Sequence, residues 1–416
     1  MIQIPNKPAS QDTQCLSSLW HSASSEQLAI ALWQLPGQTR KHLILDFSER
    51  PLQTKIDLEE LPGGFAFSPF LNESGTQTLF LKADVHLSFD SDDILSREEV
   101  TQALALVVGD SAEKQSKKEA VISKLEQSHI RIDSPVSIRS QAFQEVDPDT
   151  ERQHFLQMVE KAIEAIRRGD FQKVALSRSR EVNLPTDFDV VRTFKKMCMN
   201  YPNAFVSLVS VPGFGVWMGA SPEILISQDA EGTFRTVSLA GTQAAHPDTR
   251  VKEAHWTHKE IEEQALVSRY IVNCFKKIRL REYDEEGPKT VVAGNLMHLR
   301  TDFKVDTQAV GFPQLGTVML ELLHPTSAVC GMPKAAALDF ILKNETHNRQ
   351  FYSGYLGPVN LQQETHLFVN LRCMQLREHA AVLYAGAGVT AESVPEKEWL
   401  ETNMKCQTML QVLSSK

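Results

Sequence analysis

Apolar positions along this chain change their period several times, and each period predicts an element. Between Thr150 and Arg168 they recur at Phe155, Met158, Val159, Ala162, Ile163 and Ile166, the three-and-four spacing of one helix face. Arg168-Gly169-Asp170 stops the pattern, and Thr150 with Gln153 has the form of a capping box at its start. A strand is predicted over 173–182 and a helix over 190–199. Short apolar runs at 204–211, 215–219, 224–228 and 234–239, separated by PGFG, SPE and EG turns, then predict successive antiparallel strands. A helix over 259–278, strands at 290–292 and 368–376, and a last helix from about residue 395 complete this half. Residues 1–105 alternate short apolar runs (28–35, 42–47, 78–81) with Pro and Gly, which predicts a strand-rich part of the same large domain. The apolar-poor, charged stretch within 106–145 reads as a solvated helix or linker, leaving 146–416 as the catalytic region. No repeat of fixed period is present, and βα alternation is absent, so the pattern is α/β with many hairpins.

Composition narrows the partners. The chain has 416 residues, 42% of them apolar and 23% charged, with a net charge of −9. That balance belongs to an ordinary globular protein and offers no broad cationic surface for nucleic acid or an anionic membrane. A small anion needs only a few local cations, so it stays open as a ligand. The six cysteines are scattered without metal-ligand or disulfide-framework spacing, which predicts reduced, buried thiols. Neither a signal peptide nor an apolar stretch of about 18 residues is present, so a cytoplasmic location is expected.

Several residues could carry chemistry. Gly213-Phe214-Gly215 lies between strand-like runs and opens no helix, so it reads as a hairpin turn and not as a phosphate cradle. Lys259 and Glu263 lie four apart on one predicted helix, and Glu398, Glu401 and Lys405 share a face of another. Such carboxylates are commonly solvated partners of lysine, yet magnesium is also held by one or two carboxylates completed by water and an anion. Lys173 opens an otherwise apolar strand, where a surface position competes with that of a desolvated base. Glu223 follows a proline at a strand start and is either a turn carboxylate or, if enclosed, an acid. Gly386-Ala387-Gly388 fits a tight turn or a set of uncovered backbone amides.

Read in order, KVALSR from Lys173, SPE at Glu223, SLAGT at 238–242, K-x-x-x-E ending at Glu263, HPTSAVCGMPK from His324, NLRCMQL from Asn370, YAGAGV from Tyr384 and E-x-x-E-x-x-x-K ending at Lys405 form one series. That series, over about 150–412, closely resembles the chorismate-utilising enzymes, a family that includes isochorismate, salicylate, anthranilate and aminodeoxychorismate synthases. The resemblance implies a chorismate-binding fold: two large antiparallel sheets packed face to face, helices outside, and a magnesium and chorismate site in a cleft. Members that use water resemble this chain in having lysine where Lys173 stands, whereas those that use ammonia have glutamine. Ala240 replaces the lysine of the aminodeoxychorismate type, so a glutaminase partner is not expected. HPTSAVCGMPK is most similar to the isochorismate synthase form, with Ser327, Val329 and Cys330 departing from the commoner residues. Gln264 departs similarly beside Glu263. Isochorismate synthase, an isomerase, is the function implied, with salicylate synthase the alternative and, behind it, an aminating chorismate enzyme, disfavoured by Lys173, or a non-catalytic binding protein, disfavoured by the retained Lys173, Glu223, Glu263 and Glu401.

By that resemblance Lys173 is the general base and Glu223 the general acid. Glu263 and Glu401 are the metal ligands, with Glu398 behind them or reached through water. Arg372, Lys405, Gly386 and Gly388 are carboxylate-binding candidates, while Ala240, Gly241, Thr242, His298 and Tyr355 shape the pocket. Such a site needs lysine neutral and glutamic acid protonated, and burial pushes both groups that way.

Overall fold

The computed structural model describes residues 13–72, 74–90, 96–107, 111–127, 148–245, 254–293 and 296–414. Its N-terminal part runs α1 (Thr13–Ser25), β1 (Ala29–Gln34), β2 (Lys41–Asp46), β3 (Leu52–Thr54), β4 (Gly64–Ser68), β5 (Thr78–Lys82), β6 (Val85–Phe89), α2 (Arg97–Ala105) and α3 (Ala112–Gln127). The middle runs α4 (Pro148–Arg168), β7 (Lys173–Asn183), α5 (Val190–Asn200), β8 (Phe205–Val211), β9 (Gly215–Ser221), β10 (Ile224–Gln228), β11 (Thr233–Ala244), α6 (His258–Lys277), β12 (Asp284–Ala293) and β13 (Leu296–Asp306). The rest is α7 (Leu315–Leu323), β14 (Gly331–Met332), α8 (Lys334–Asn344), β15 (Tyr355–Val359), β16 (Thr365–Val369), β17 (Cys373–Leu376), β18 (Ala380–Val389) and α9 (Pro395–Ser414).

The strands form two nine-stranded sheets. The first has the order β14-β7-β18-β17-β9-β8-β1-β2-β6, and the second β12-β13-β11-β10-β16-β15-β4-β5-β3. Both sheets therefore mix strands from before and after residue 105. Their inner faces meet in an aromatic layer. Phe205 of the first sheet stacks on Phe368 of the second at 4.2 Å between ring centres, and Trp217 packs against Phe67, Phe351 and Tyr384. Outside the first sheet, α1, α2, α3, α5 and α9 close one core; α6 and α7 close another outside the second. The expected architecture, two antiparallel sheets face to face with helices outside, is the one found.

Local differences have physical causes. Thr150 lies inside α4, which starts at Pro148, so the helix begins before the position that the sequence pattern marked as its start. The N-terminal part also contains α1, whose Cys15, Leu16, Leu19, Trp20 and Ala23 are buried at helical spacing, and α2, capped by Ser96 and Glu99. The charged stretch yields α3, which is not solvated all round, because Val121 and Leu125 enter the core; the expected linker at 128–145 lies outside the described residues. Residues 368–376 do not make one strand. The chain leaves the second sheet after Val369 and enters the first at Cys373, turning at Arg372 with a φ of 47°. Gly386-Ala387-Gly388 is no tight turn, since it runs within β18 paired to β7. All six cysteines are buried and free. Among the described residues no helix is long and apolar enough to cross a membrane.

Because Trp217 is 1% exposed and touches rings from both sheets, Trp217→Ala should cost about 3–5 kcal/mol. Denaturant unfolding would read this as a lower midpoint at unchanged slope; an unshifted midpoint would place the sheet contact elsewhere.

Candidate active site

The cleft is built where the chain changes sheet. Between β9 and β10 it crosses at Pro222-Glu223, and between β16 and β17 it crosses back at Asn370-Leu371-Arg372. The crossings are tied together, since Val369 N donates to Glu223 O at 3.0 Å and Ser221 Oγ donates to Val369 O. Glu223 and Arg372 are thereby fixed at the same edge of the sandwich, and both line the cleft. β11 adds a bulge between Ala240 and Gln243 that brings Ala240, Gly241 and Thr242 to the wall.

Lys173 is fully buried at the start of β7, with Nζ 2.9 Å from Glu263 Oε1. Gly388 on β18 makes this approach possible. A Cβ there would collide with Glu263 Oε1 and lie 3.1 Å from Lys173 Cε. Gly386 likewise leaves room beside the Tyr352 hydroxyl. On α6 and α9, Lys259 Nζ is 2.6 Å from Glu398 Oε1, and Lys405 Nζ donates to Glu401 Oε1 at 2.7 Å and to Gly386 O at 2.8 Å. The pairing of Lys259 with Glu263 along one helix, expected from spacing, is replaced by Lys259 with Glu398 and Lys173 with Glu263, both across elements, whereas Lys405 and Glu401 pair within α9 as their spacing allows.

Arg372 has a different environment. Its guanidinium, on a residue 8% exposed, forms no ion pair with a carboxylate among the described residues. Its Nη2 instead donates to His298 Nε2 at 3.2 Å, while His298 Nδ1 donates to Gly241 O at 2.8 Å. This assignment needs a neutral imidazole, which burial and the neighbouring Arg372 ensure by lowering its pKa to about 3. A buried guanidinium held by a neutral partner in an unusual backbone conformation is arranged for an anion from outside.

Burial pushes the Glu223 carboxyl up to about 7, although Lys173, Lys405 and Arg372 pull it down. Burial acts on Glu263 in the same sense but is outweighed by Lys173 and Lys259, so that carboxyl titrates below its usual range. Glu398 is raised by burial and by Glu401. Side by side are thus a carboxyl able to give a proton near neutrality, Glu223, and one held ionised, Glu263.

Of the residues expected at the site, Glu223, Ala240, Gly241, Thr242, Glu263, His298, Arg372, Gly386, Gly388, Glu401 and Lys405 line this cleft. Lys173 lies immediately behind the lining, against Glu263, whereas Glu398 is not a lining residue and is paired with Lys259. Tyr355 is a correction. It opens β15 pointing to the outer side of the second sheet, where its hydroxyl meets Thr78 Oγ1 at 3.0 Å. The tyrosine on the cleft is Tyr352, three residues earlier; Ser177 of KVALSR and Tyr384 of YAGAGV also line it, and Arg349 is a further lining group that the motifs did not indicate. Arg349 could have been found as one of the few charges in the apolar FYSGYLG neighbourhood. It is buried and binds Val329 O and Ala175 O, both at 2.7 Å, and the Glu345 carboxylate.

Among the described residues no three His, Cys, Asp or Glu side chains are grouped to hold a metal by themselves. Two carboxylates from two helices facing one cleft, Glu263 and Glu401, nevertheless match magnesium, which takes hard oxygen donors and completes its shell with water and a bound anion.

A family model described as chorismate binding enzyme matches residues 24–414. The chain belongs to the chorismate-binding enzyme family. It is 30% identical over 283 residues to isochorismate synthase EntC of Escherichia coli (strain K12), covering 66% of this chain and 71% of that protein. It is also 30% identical over 271 residues to the salicylate biosynthesis isochorismate synthase of Pseudomonas aeruginosa, covering 64% of this chain and 56% of that one. The solved structure of MenF, the menaquinone-specific isochorismate synthase from Escherichia coli, shares the fold with a TM-score of 0.70 at 22% identity, covering 99% of this chain and 94% of that one. As a member of this family the chain is an enzyme.

The raised Glu223 carboxyl has a measurable sign. Its proton is retained on folding between 4.5, the ordinary value, and about 7, so wild-type stability falls as pH rises through that window. Glu223→Gln removes this dependence. The variant's melting temperature should therefore fall less than wild type's between about pH 5 and about pH 8; parallel curves would show that the carboxyl is not raised.

Proposed function

We propose that this enzyme converts chorismate to isochorismate with Mg²⁺. The reading rests above all on one observation: an enclosed cleft holds a carboxyl near neutral pKa, a fully buried lysine, and a guanidinium without an acidic partner. The identity to curated isochorismate synthases supports it. So does Lys173, which resembles the water-using members of the family.

Glu263 and Glu401 would hold the cation, which when bound draws electron density toward the ring carboxylate. Arg372 receives a substrate carboxylate bidentately, its head held by His298. Lys173 takes a proton from a water whose oxygen bonds to C2. The ring double bonds shift, the C4–O bond breaks, and Glu223 gives its proton to the departing hydroxyl, so one water enters and one leaves.

Chromatography of the products from chorismate tests the reading. Isochorismate is expected with Mg²⁺, and none in excess EDTA. Salicylate with pyruvate would assign the salicylate synthase reaction instead, and an aminated product would contradict the role of Lys173. Lys173→Gln should lower turnover by at least about 100-fold, because an amide cannot take the proton. Full turnover by that variant would remove Lys173 from the mechanism. The alkaline limb of the kcat/KM profile should lie near pH 7, where Glu223 loses its proton.

A further inference from the structure

A second, larger pocket of about 440 Å³ opens on the outer side of the second sheet, between the β4–β5 connection, α7 and α8. Ile56, Phe70, Leu71, Leu320 and Leu338 give it apolar walls. It has no acid and base arrangement like that of the cleft. Its polar groups have another pattern. At the rim, Lys55 and Glu321 neutralise each other at 2.5 Å. Deeper, Lys334 is half-buried and donates to His324 O at 2.7 Å, yet no carboxylate pairs with it among the described residues. His324 Nε2 beside it is buried without a hydrogen-bond partner. Among the described residues the pocket thus presents one positive charge without a carboxylate partner next to a ring-sized apolar space.

We propose that this pocket is a binding site, separate from the catalytic cleft, for a small organic monocarboxylate whose body is apolar. One negative charge is what Lys334 lacks among the described residues, and a second would find no cation there, since Lys55 is taken up by Glu321. The walls exclude a fully hydrated inorganic anion, and the volume lies in the range of small-molecule sites. Only a short segment separates the two sites: His324, Pro325 and Lys334 line this pocket, and Ala328 and Val329 line the cleft.

Calorimetric titration of the full-length protein with benzoate provides the test, with inorganic phosphate and benzyl alcohol as probes of charge alone and body alone. Benzoate should bind and both controls should bind at least about tenfold more weakly, since charge-assisted contacts and apolar burial each contribute that much. Lys334→Met should weaken benzoate by about tenfold or more, and Leu338→Trp, which fills the pocket, should abolish binding. Arg372→Met should leave it unchanged. If Lys334→Met does not fold, as judged by circular dichroism, Leu338→Trp decides alone. No benzoate binding by wild type, binding retained in Leu338→Trp, or binding lost with Arg372→Met and kept with Lys334→Met, would overturn the proposal.

Discussion

Placing the Lys173 side chain in the sandwich interior leaves its Nζ without water, and Glu263 Oε1 stands beside it at 2.9 Å. Losing either partner leaves a buried polar group unsatisfied, at a cost of about 1–3 kcal/mol. Much of the surrounding architecture is explained by this pair. Gly388 has no side chain because one would occupy the position of Glu263 Oε1. β7 and β18 run side by side through this point, and α6 brings the carboxylate over them. The further pairs Lys259 with Glu398 and Lys405 with Glu401 extend the same alternation of charge. Among the described residues Arg372 has no carboxylate partner in this alternation, and it lines the cleft.

Topology makes this arrangement affordable. Two sheets stacked through aromatic rings are rigid, and the backbone has to cross between them somewhere. Here both crossings, at Glu223 and at Arg372, open on the same edge, and hydrogen bonds from Val369 and Ser221 lock them together. Glu223 and Arg372 are therefore held by main chain on both sides. A site fixed in this way has little reorganisation to undergo when charge shifts.

The sequence carried some of this plainly and some not at all. Strand and helix periods located the hairpins from residue 204 onward, and the ordered motifs identified the cleft residues from Glu223 to Lys405. Three things were hidden. A run such as 368–376 reads as one strand because local pattern does not show a change of sheet, and only Arg372 at its middle hinted at a break. Tyr352 and Tyr355 are indistinguishable by composition, since which faces the cleft depends on where β15 begins. Partner choice among lysines and glutamates was likewise invisible: spacing joined Lys259 to Glu263, whereas α9 supplies Glu398 at closer range. Each omission concerns contacts between residues far apart in the chain.

The central claim is that water is activated beside Lys173 and enters the ring as another hydroxyl leaves through Glu223. Mass spectrometry of the product formed in ¹⁸O-labelled water, with chorismate and Mg²⁺, tests it most directly. The account requires one labelled oxygen in the product, on C2. An unlabelled product would mean that the hydroxyl had moved without exchange with water, and would contradict the assignment of Lys173 and Glu223 as base and acid.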